Sequence, residues 1–154
     1  MKAFDISAFG GLVQNPGDIT CFLGGSAVPD EKYEKGMQIR RSVLGEDHVN
    51  RAEAAKSDFD EDFQRLITET AWGSVWARPG LDKKTRHLLT IAMLATLGNH
   101  EELAMHIRAT RNTGVTREEV KEVLLQVAVY AGIPAANAAV AIAKQVFAEM
   151  EGKV

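Results

Sequence analysis

The stretch NHEELAMHIRATRNTG, residues 99–114, decides the fold class of this chain. Asn99 suits an N-cap, because its side chain can accept a hydrogen bond from a free N–H of the first turn. Gly114 suits the position after a helix, where a left-handed backbone costs glycine little. Within this predicted helix, Glu102 and His106 are four residues apart and therefore share a face. Such a carboxylate and imidazole can act as an acid–base pair, and a salt-bridged helix surface without catalytic role is the alternative.

Composition indicates a globular protein with one domain. Of the 154 residues, 45% are hydrophobic and 25% are charged, which is ordinary for a chain that buries a sizeable core. The net charge of −3 gives no support for a nucleic-acid or membrane partner. The single cysteine, Cys21, excludes an intrachain disulfide and a CxxC motif. The longest apolar run, residues 88–97, is too short to span a bilayer, and the first residues do not resemble a signal peptide, so we expect a cytoplasmic protein.

The chain divides into an N-terminal arm, residues 1–28, and a single helical domain, residues 29–154. The arm is rich in glycine and lacks helical periodicity, but its apolar residues suit an irregular segment that packs on the body or on a neighbouring subunit. A disordered extension is the alternative.

Helical periodicity governs the chain after the arm. Apolar residues recur at helical spacing, and no segment shows the alternation typical of a β-strand. One helix is predicted to begin at Ser57 and to run into the sequence AWGSVWARPG, in which Trp72 and Trp76 share a face. Another begins after Asp82 and forms a hairpin with the helix of residues 99–114. We therefore predict an all-α fold, a compact bundle of six or seven helices.

Few side chains are placed for chemistry. The sequence contains no phosphate-binding loop, metal motif or nucleophile triad. His87 lies on an apolar helix face, so it is either a core residue or a group that faces a cavity. The tryptophans could wall a pocket or fill the core, and the arginines could clamp a substrate or form surface ion pairs. The candidate binding residues are Trp72, Trp76, Arg78, Arg86 and Tyr130.

Three runs carry a resemblance to a known family. They are EKYEKGMQIRRSVLGEDHV (residues 31–49), ETAWGSVWARPGLDKKTR (69–86) and TRHLLTIAMLATLGNHEELAMHIRATRNTGVTREEVKEVLLQVAVYAGIPAANAA (85–139). Together they resemble the carboxymuconolactone decarboxylase family over about residues 29–149. The resemblance implies an all-α fold, a homo-oligomer (hexamer or trimer) and a cofactor-free reaction. In that reaction 4-carboxymuconolactone loses CO2 to give 3-oxoadipate enol-lactone during aromatic (protocatechuate) catabolism.

A second branch of the same superfamily contains disulfide reductases of peroxide defence. Its CxxC motif would fall on Asn99 and Glu102, and its relay glutamate on His87. Thiol–disulfide exchange needs a thiolate nucleophile, so the absence of both cysteines argues against reductase activity.

The resemblance also implies roles for the candidate residues. We expect His106 to donate a proton or stabilise an oxyanion, Glu102 to orient it, and His87 to serve as a second acid. The tryptophans would form an apolar wall for a small lactone carboxylate, and an arginine would hold its side-chain carboxylate. Two alternatives stay open: an enzyme of this fold acting on another small lactone or acid, and a non-catalytic helical oligomer.

Overall fold

The computed structural model describes residues 30–152, which form seven α-helices and one π-helical segment. In chain order they are α1 Glu31–Leu44, α2 Glu46–Ala55, α3 Glu61–Ile67, the π segment Thr68–Trp76, α4 Lys83–Leu97, α5 His100–Thr113, α6 Arg117–Tyr130 and α7 Ile133–Met150. No strand occurs among these residues, and the predicted all-α fold is confirmed. The predicted arm and Cys21 lie outside the described residues, so the division into arm and domain stays a prediction.

Helices α4 and α5 form the predicted hairpin. Asp82 caps α4, because its carboxylate accepts a hydrogen bond of 2.7 Å from the N–H of Thr85. Gly98 ends α4 in the left-handed conformation, with φ of 72°, and Asn99 leads directly into α5. Asn99 holds the predicted N-cap position, but its side chain makes no capping bond. Its ψ of 77° departs from the extended value of 164° at Asp82, so the side chain is not aimed at the free N–H groups.

The apolar core lies among the last four helices. Its largest fully buried side chains are Ile91, Leu103, Ile107, Val120 and Val146, one or two from each of α4 to α7. Close packing in such a core leaves little freedom for the helices to shift. The relative position of α4 and α5 is therefore fixed by their shared packing.

Helix α1 packs on the π segment through two glycines. A Cβ atom on Gly36 would lie 2.2 Å from the carbonyl oxygen of Thr68, and a Cβ atom on Gly73 would lie 2.4 Å from the carbonyl oxygen of Lys32. Only a residue without Cβ permits this approach of two helical backbones. The pair of glycines thus sets where the π segment and its two tryptophans lie.

The helix predicted to begin at Ser57 starts later, at Glu61. The N–H and the hydroxyl of Ser57 both donate to the carboxylate of Asp60, at 2.8 and 2.7 Å, and hold a turn there. Such side-chain bonds compete with helix formation. The helix then continues to the tryptophans as predicted, but it changes from α to π winding at Thr68.

Several large apolar side chains point outward. In and just before α3, Phe59, Phe63 and Leu66 are exposed. A second exposed group lies where α6 meets α7, at Val129, Tyr130 and Ile133. No helix within residues 30–152 is both long and apolar enough to cross a membrane.

Candidate active site

Two buried histidines face each other across the α4–α5 hairpin. His87 is fully buried on α4, and His106 on α5 retains 7% of its exposure. Nδ1 of His106 lies 3.1 Å from Nε2 of His87, within hydrogen-bond distance, and the rings meet edge to face at 61°. Because each ring comes from a different helix of a packed hairpin, the contact has little freedom to open.

Thr113 extends this contact into a chain of three side chains. Its Oγ1 lies 2.7 Å from Nδ1 of His87, so both nitrogens of the His87 ring have a partner. The same hydroxyl donates to the carbonyl oxygen of Thr110 at 3.2 Å. Thr113 was not predicted as a site residue, although it follows His106 by seven residues, two helical turns along the same face.

Burial keeps both imidazoles neutral at pH 7. It lowers the pKa of His87 from its ordinary value of 6.5 to about 4. For His106 burial is again the main cause, and the neighbouring His87 and His48 add to it, so that its pKa falls to about 3. A charged imidazolium is disfavoured wherever water cannot solvate it, and nearby positive charge adds to that effect. In the unliganded chain the pair is therefore a neutral hydrogen-bonded unit.

Glu102 does not join this unit. Its side chain is exposed, and among the hydrogen bonds of residues 30–152 none links it to His106. His106 turns its Nδ1 toward α4, where His87 is the partner. The predicted Glu102–His106 pair is thus replaced in the structure by a His87–His106 pair.

One of the two tryptophans meets a histidine of the pair edge to face. The rings of Trp72 and Trp76 have their centroids 4.9 Å apart, as expected for neighbours on one helix face. Trp76 also meets His87 edge to face, with centroids 6.2 Å apart, while Trp72 is buried. The structure therefore brings together His87, His106 and both tryptophans, and Trp76 provides one apolar neighbour of the imidazole pair.

The other predicted binding residues, Arg78, Arg86 and Tyr130, lie elsewhere or serve the scaffold. The guanidinium of Arg86 donates to the backbone carbonyl of Arg78 at 3.1 Å, which ties the turn after the π segment to α4. The side chain of Arg78 is exposed, and Tyr130 is exposed at the end of α6. No described contact brings any of the three to the histidines.

The described chain has an apolar groove and a polar cleft on its surface. An apolar groove of about 360 Å³ runs between α6 and α7. A polar cleft of about 610 Å³ is lined by residues of α2 and α5, including His48, Arg51 and Arg111. Neither is lined by His87 or His106. Within the described residues no group of three or more His, Cys, Asp or Glu side chains is arranged to hold a metal ion.

Comparison with known proteins assigns the sequence to a family. The model of the carboxymuconolactone decarboxylase family matches residues 61–145, more than half of the chain, including both histidines and both tryptophans. This chain belongs to the carboxymuconolactone decarboxylase family.

Two relatives show how far the family likeness extends. The chain is 50% identical to the 4-carboxymuconolactone decarboxylase of Acinetobacter baylyi over 121 residues, which cover 79% of this chain and 90% of the relative. It is 39% identical to the nitrosuccinic acid decarboxylase of Metarhizium robertsii over 121 residues, 79% of this chain and 85% of that relative. Both relatives are named as decarboxylases, and both are covered over most of their length.

Proposed function

We propose that this protein decarboxylates 4-carboxymuconolactone to 3-oxoadipate enol-lactone. The observation that carries the proposal is the 50% identity to a decarboxylase of that substrate across 90% of the relative's length. The buried imidazole pair supplies a group of the kind that this chemistry needs.

The substrate supplies its own electron sink. Its departing carboxylate is attached to the γ-carbon of an unsaturated lactone, so loss of CO2 leaves a dienolate with charge on the lactone carbonyl oxygen. The protein has to stabilise that oxyanion, hold the carboxylate where water solvates it poorly, and protonate the α-carbon. Amino-acid side chains can perform each of these three tasks.

We assign the proton transfer to His106. Its pKa of about 3 keeps it neutral in the empty site, but an anionic substrate beside it favours the imidazolium and raises that pKa. The acid would then form only when substrate is present. His87 holds the ring through Nδ1 and leaves Nε2 of His106 for the substrate.

The remaining assignments rest on position. Trp76, in contact with His87, and Trp72 behind it would provide the apolar wall against which the carboxylate leaves. Glu102 lies on the same helix face as His106 and is exposed, so its role would be at the entrance of the site. The other candidate substrate contacts are Arg78, Arg86 and Tyr130.

We propose that the chain works as a homo-oligomer, a hexamer or trimer. Phe59 is 96% exposed, and Val129 and Tyr130 at the α6–α7 corner are 78% and 80% exposed. On α4, Leu89 and Met93 are about half exposed. Groups of large exposed apolar side chains are typical of subunit interfaces.

A second candidate substrate is nitrosuccinic acid, favoured by the 39% identity to a decarboxylase of that name. A nitro group, like a lactone carbonyl, can take up on oxygen the charge left by a departing carboxylate. The same neutral imidazole pair would serve either reaction, because each needs a proton after CO2 has left.

The test is CO2 release from the two substrates side by side. We expect fast release from 4-carboxymuconolactone, slower release from nitrosuccinic acid, and a loss of about 10²- to 10⁴-fold in kcat in His106→Gln. His100→Gln removes an exposed histidine from the same helix and is the matched control, with activity expected to be unchanged. Release only from nitrosuccinic acid would transfer the assignment to the second substrate, and full activity of His106→Gln would move the chemistry away from this histidine.

A further inference from the structure

We propose that Thr113 is a positioning residue that fixes which nitrogen of His87 carries the proton, and through His87 leaves Nε2 of His106 as an open proton acceptor. The catalytic consequence rests on the proposed function, whereas the assignment of the protons does not. Thr113 is 9% exposed and sits at the end of α5, where its hydroxyl contacts both the His87 ring and a backbone carbonyl.

The direction of the hydrogen bonds follows from the single hydrogen of a hydroxyl group. Thr113 donates it to the carbonyl oxygen of Thr110, so its oxygen accepts the N–H at Nδ1 of His87. A neutral imidazole with a proton on Nδ1 has a lone pair on Nε2, which accepts the Nδ1–H of His106. This arrangement makes three hydrogen bonds. It leaves a lone pair without a hydrogen-bond donor on Nε2 of His106.

The opposite arrangement makes fewer bonds. If Thr113 donated to Nδ1 of His87, then His87 would donate from Nε2 to His106, and His106 would carry its proton on Nε2. That N–H has no partner among the described residues, and the hydroxyl bond to Thr110 would be lost. The carbonyl of Thr110 also accepts the N–H of Gly114 at 3.1 Å, so the two arrangements differ by the hydroxyl bond alone. The first arrangement keeps one more hydrogen bond within the protein and is therefore favoured.

The first arrangement is also the one that suits protonation of a dienolate. Nε2 of His106 takes a proton from solvent and becomes the outer N–H of an imidazolium, whose inner N–H stays bonded to His87. After the C–C bond to CO2 breaks, that proton moves to the α-carbon and the lone pair returns to Nε2. One carboxylate and one proton thus become CO2 and a C–H bond. In the opposite arrangement, proton transfer would leave an imidazolate or a threonine alkoxide.

The test measures which ring nitrogens carry protons. It uses long-range ¹H–¹⁵N correlation spectra of protein labelled with ¹⁵N at its four histidines. In the wild type and in Thr113→Ser we expect His87 to carry its proton on Nδ1 and His106 to have an unprotonated Nε2. In Thr113→Val, which keeps the side-chain shape without the hydroxyl, we expect the His87 proton to move to Nε2. Thr90→Val removes a threonine hydroxyl that bonds the carbonyl of Arg86 and neither histidine, and it should leave both patterns unchanged.

Activity supplies the second readout. We expect Thr113→Val to lower kcat by about 10- to 10³-fold with KM nearly unchanged, and Thr113→Ser to restore it to within about threefold of wild type. The inference would be overturned if wild-type His87 carried its proton on Nε2, or if Thr113→Val gave the same spectrum as the wild type. The wild-type spectrum alone is decisive if Thr113→Val fails to fold. If the histidine protons lie on the expected nitrogens but neither the wild type nor any variant releases CO2, the proposed function alone is refuted.

Discussion

Nδ1 of His106 lies 3.1 Å from Nε2 of His87, so the two rings share one proton at a buried contact. Both rings are neutral, with pKa values of about 4 for His87 and about 3 for His106, because burial disfavours the imidazolium. An unfolded chain would take up these protons near the ordinary value of 6.5. The pair therefore links the stability of the fold to pH.

The sign of this linkage is determined by the lowered pKa values. Between about pH 6.5 and pH 4 the unfolded state binds more protons than the folded state, so stability falls as pH falls. The slope approaches about 1.4 kcal/mol per pH unit for each neutral histidine. Urea unfolding at fixed protein concentration, at about pH 7.5, 6.5, 5.5 and 5.0, should show a constant midpoint above 6.5 and a falling one below it. His106→Gln should reduce the slope, and an equal slope in that variant would exclude His106 as its source.

The partner of His106 can be identified by two substitutions. Glu102→Gln removes an exposed carboxylate without a hydrogen bond to the ring, and we expect kcat to stay within about threefold of wild type. His87→Gln removes the group that binds Nδ1 of His106, and we expect kcat to fall by about 10-fold or more. Steady-state CO2 release measures both. A severe loss in Glu102→Gln with mild loss in His87→Gln would restore the pairing expected from helix spacing.

The glycines between α1 and the π segment should not tolerate a methyl group. In Gly36→Ala and Gly73→Ala the added Cβ would collide with a backbone carbonyl at 2.2 and 2.4 Å, so one helix must move. We expect each change to cost about 2 kcal/mol or more in the free energy of unfolding. Gly80→Ala is the control, because its Cβ would enter open space. Thermal unfolding compares the three variants, and equal melting temperatures would mean that the two helices pack less closely than described.

Exposed apolar side chains at the α6–α7 corner should support assembly. Val129→Glu places a charge on that corner, and we expect it to lower the molar mass measured by light scattering. Gln126→Glu, an exposed polar position on α6, should leave the mass unchanged. A wild-type protein that is monomeric at all concentrations would refute the proposed oligomer, whereas an unchanged mass in Val129→Glu would move the interface to another face.

Sequence patterns were sufficient for the elements that depend on local rules. The spacing of apolar residues, the cap at Asp82 and the glycines that end α4 and α5 predict helices that the structure contains. The same rules failed at Ser57, where side-chain bonds to Asp60 delay the helix. They also gave no sign of the π winding at Thr68–Trp76, the segment that lies against α1.

The candidate site shows more clearly what local sequence rules do not predict. Spacing along one helix brings Glu102 and His106 to one face, but it does not determine the direction in which the imidazole turns. That direction depends on α4, and only the packed hairpin reveals His87 as the partner. Thr113 was missed for a related reason, since its hydroxyl matters only through a residue of another helix.

All three members of the hydrogen-bonded chain, and the carbonyl that anchors it, lie between His87 and Thr113 in one hairpin. The tryptophans and α1 come from earlier parts of the sequence. One continuous segment therefore encodes the whole hydrogen-bonded chain, and the residues that surround it can change without altering any of its members.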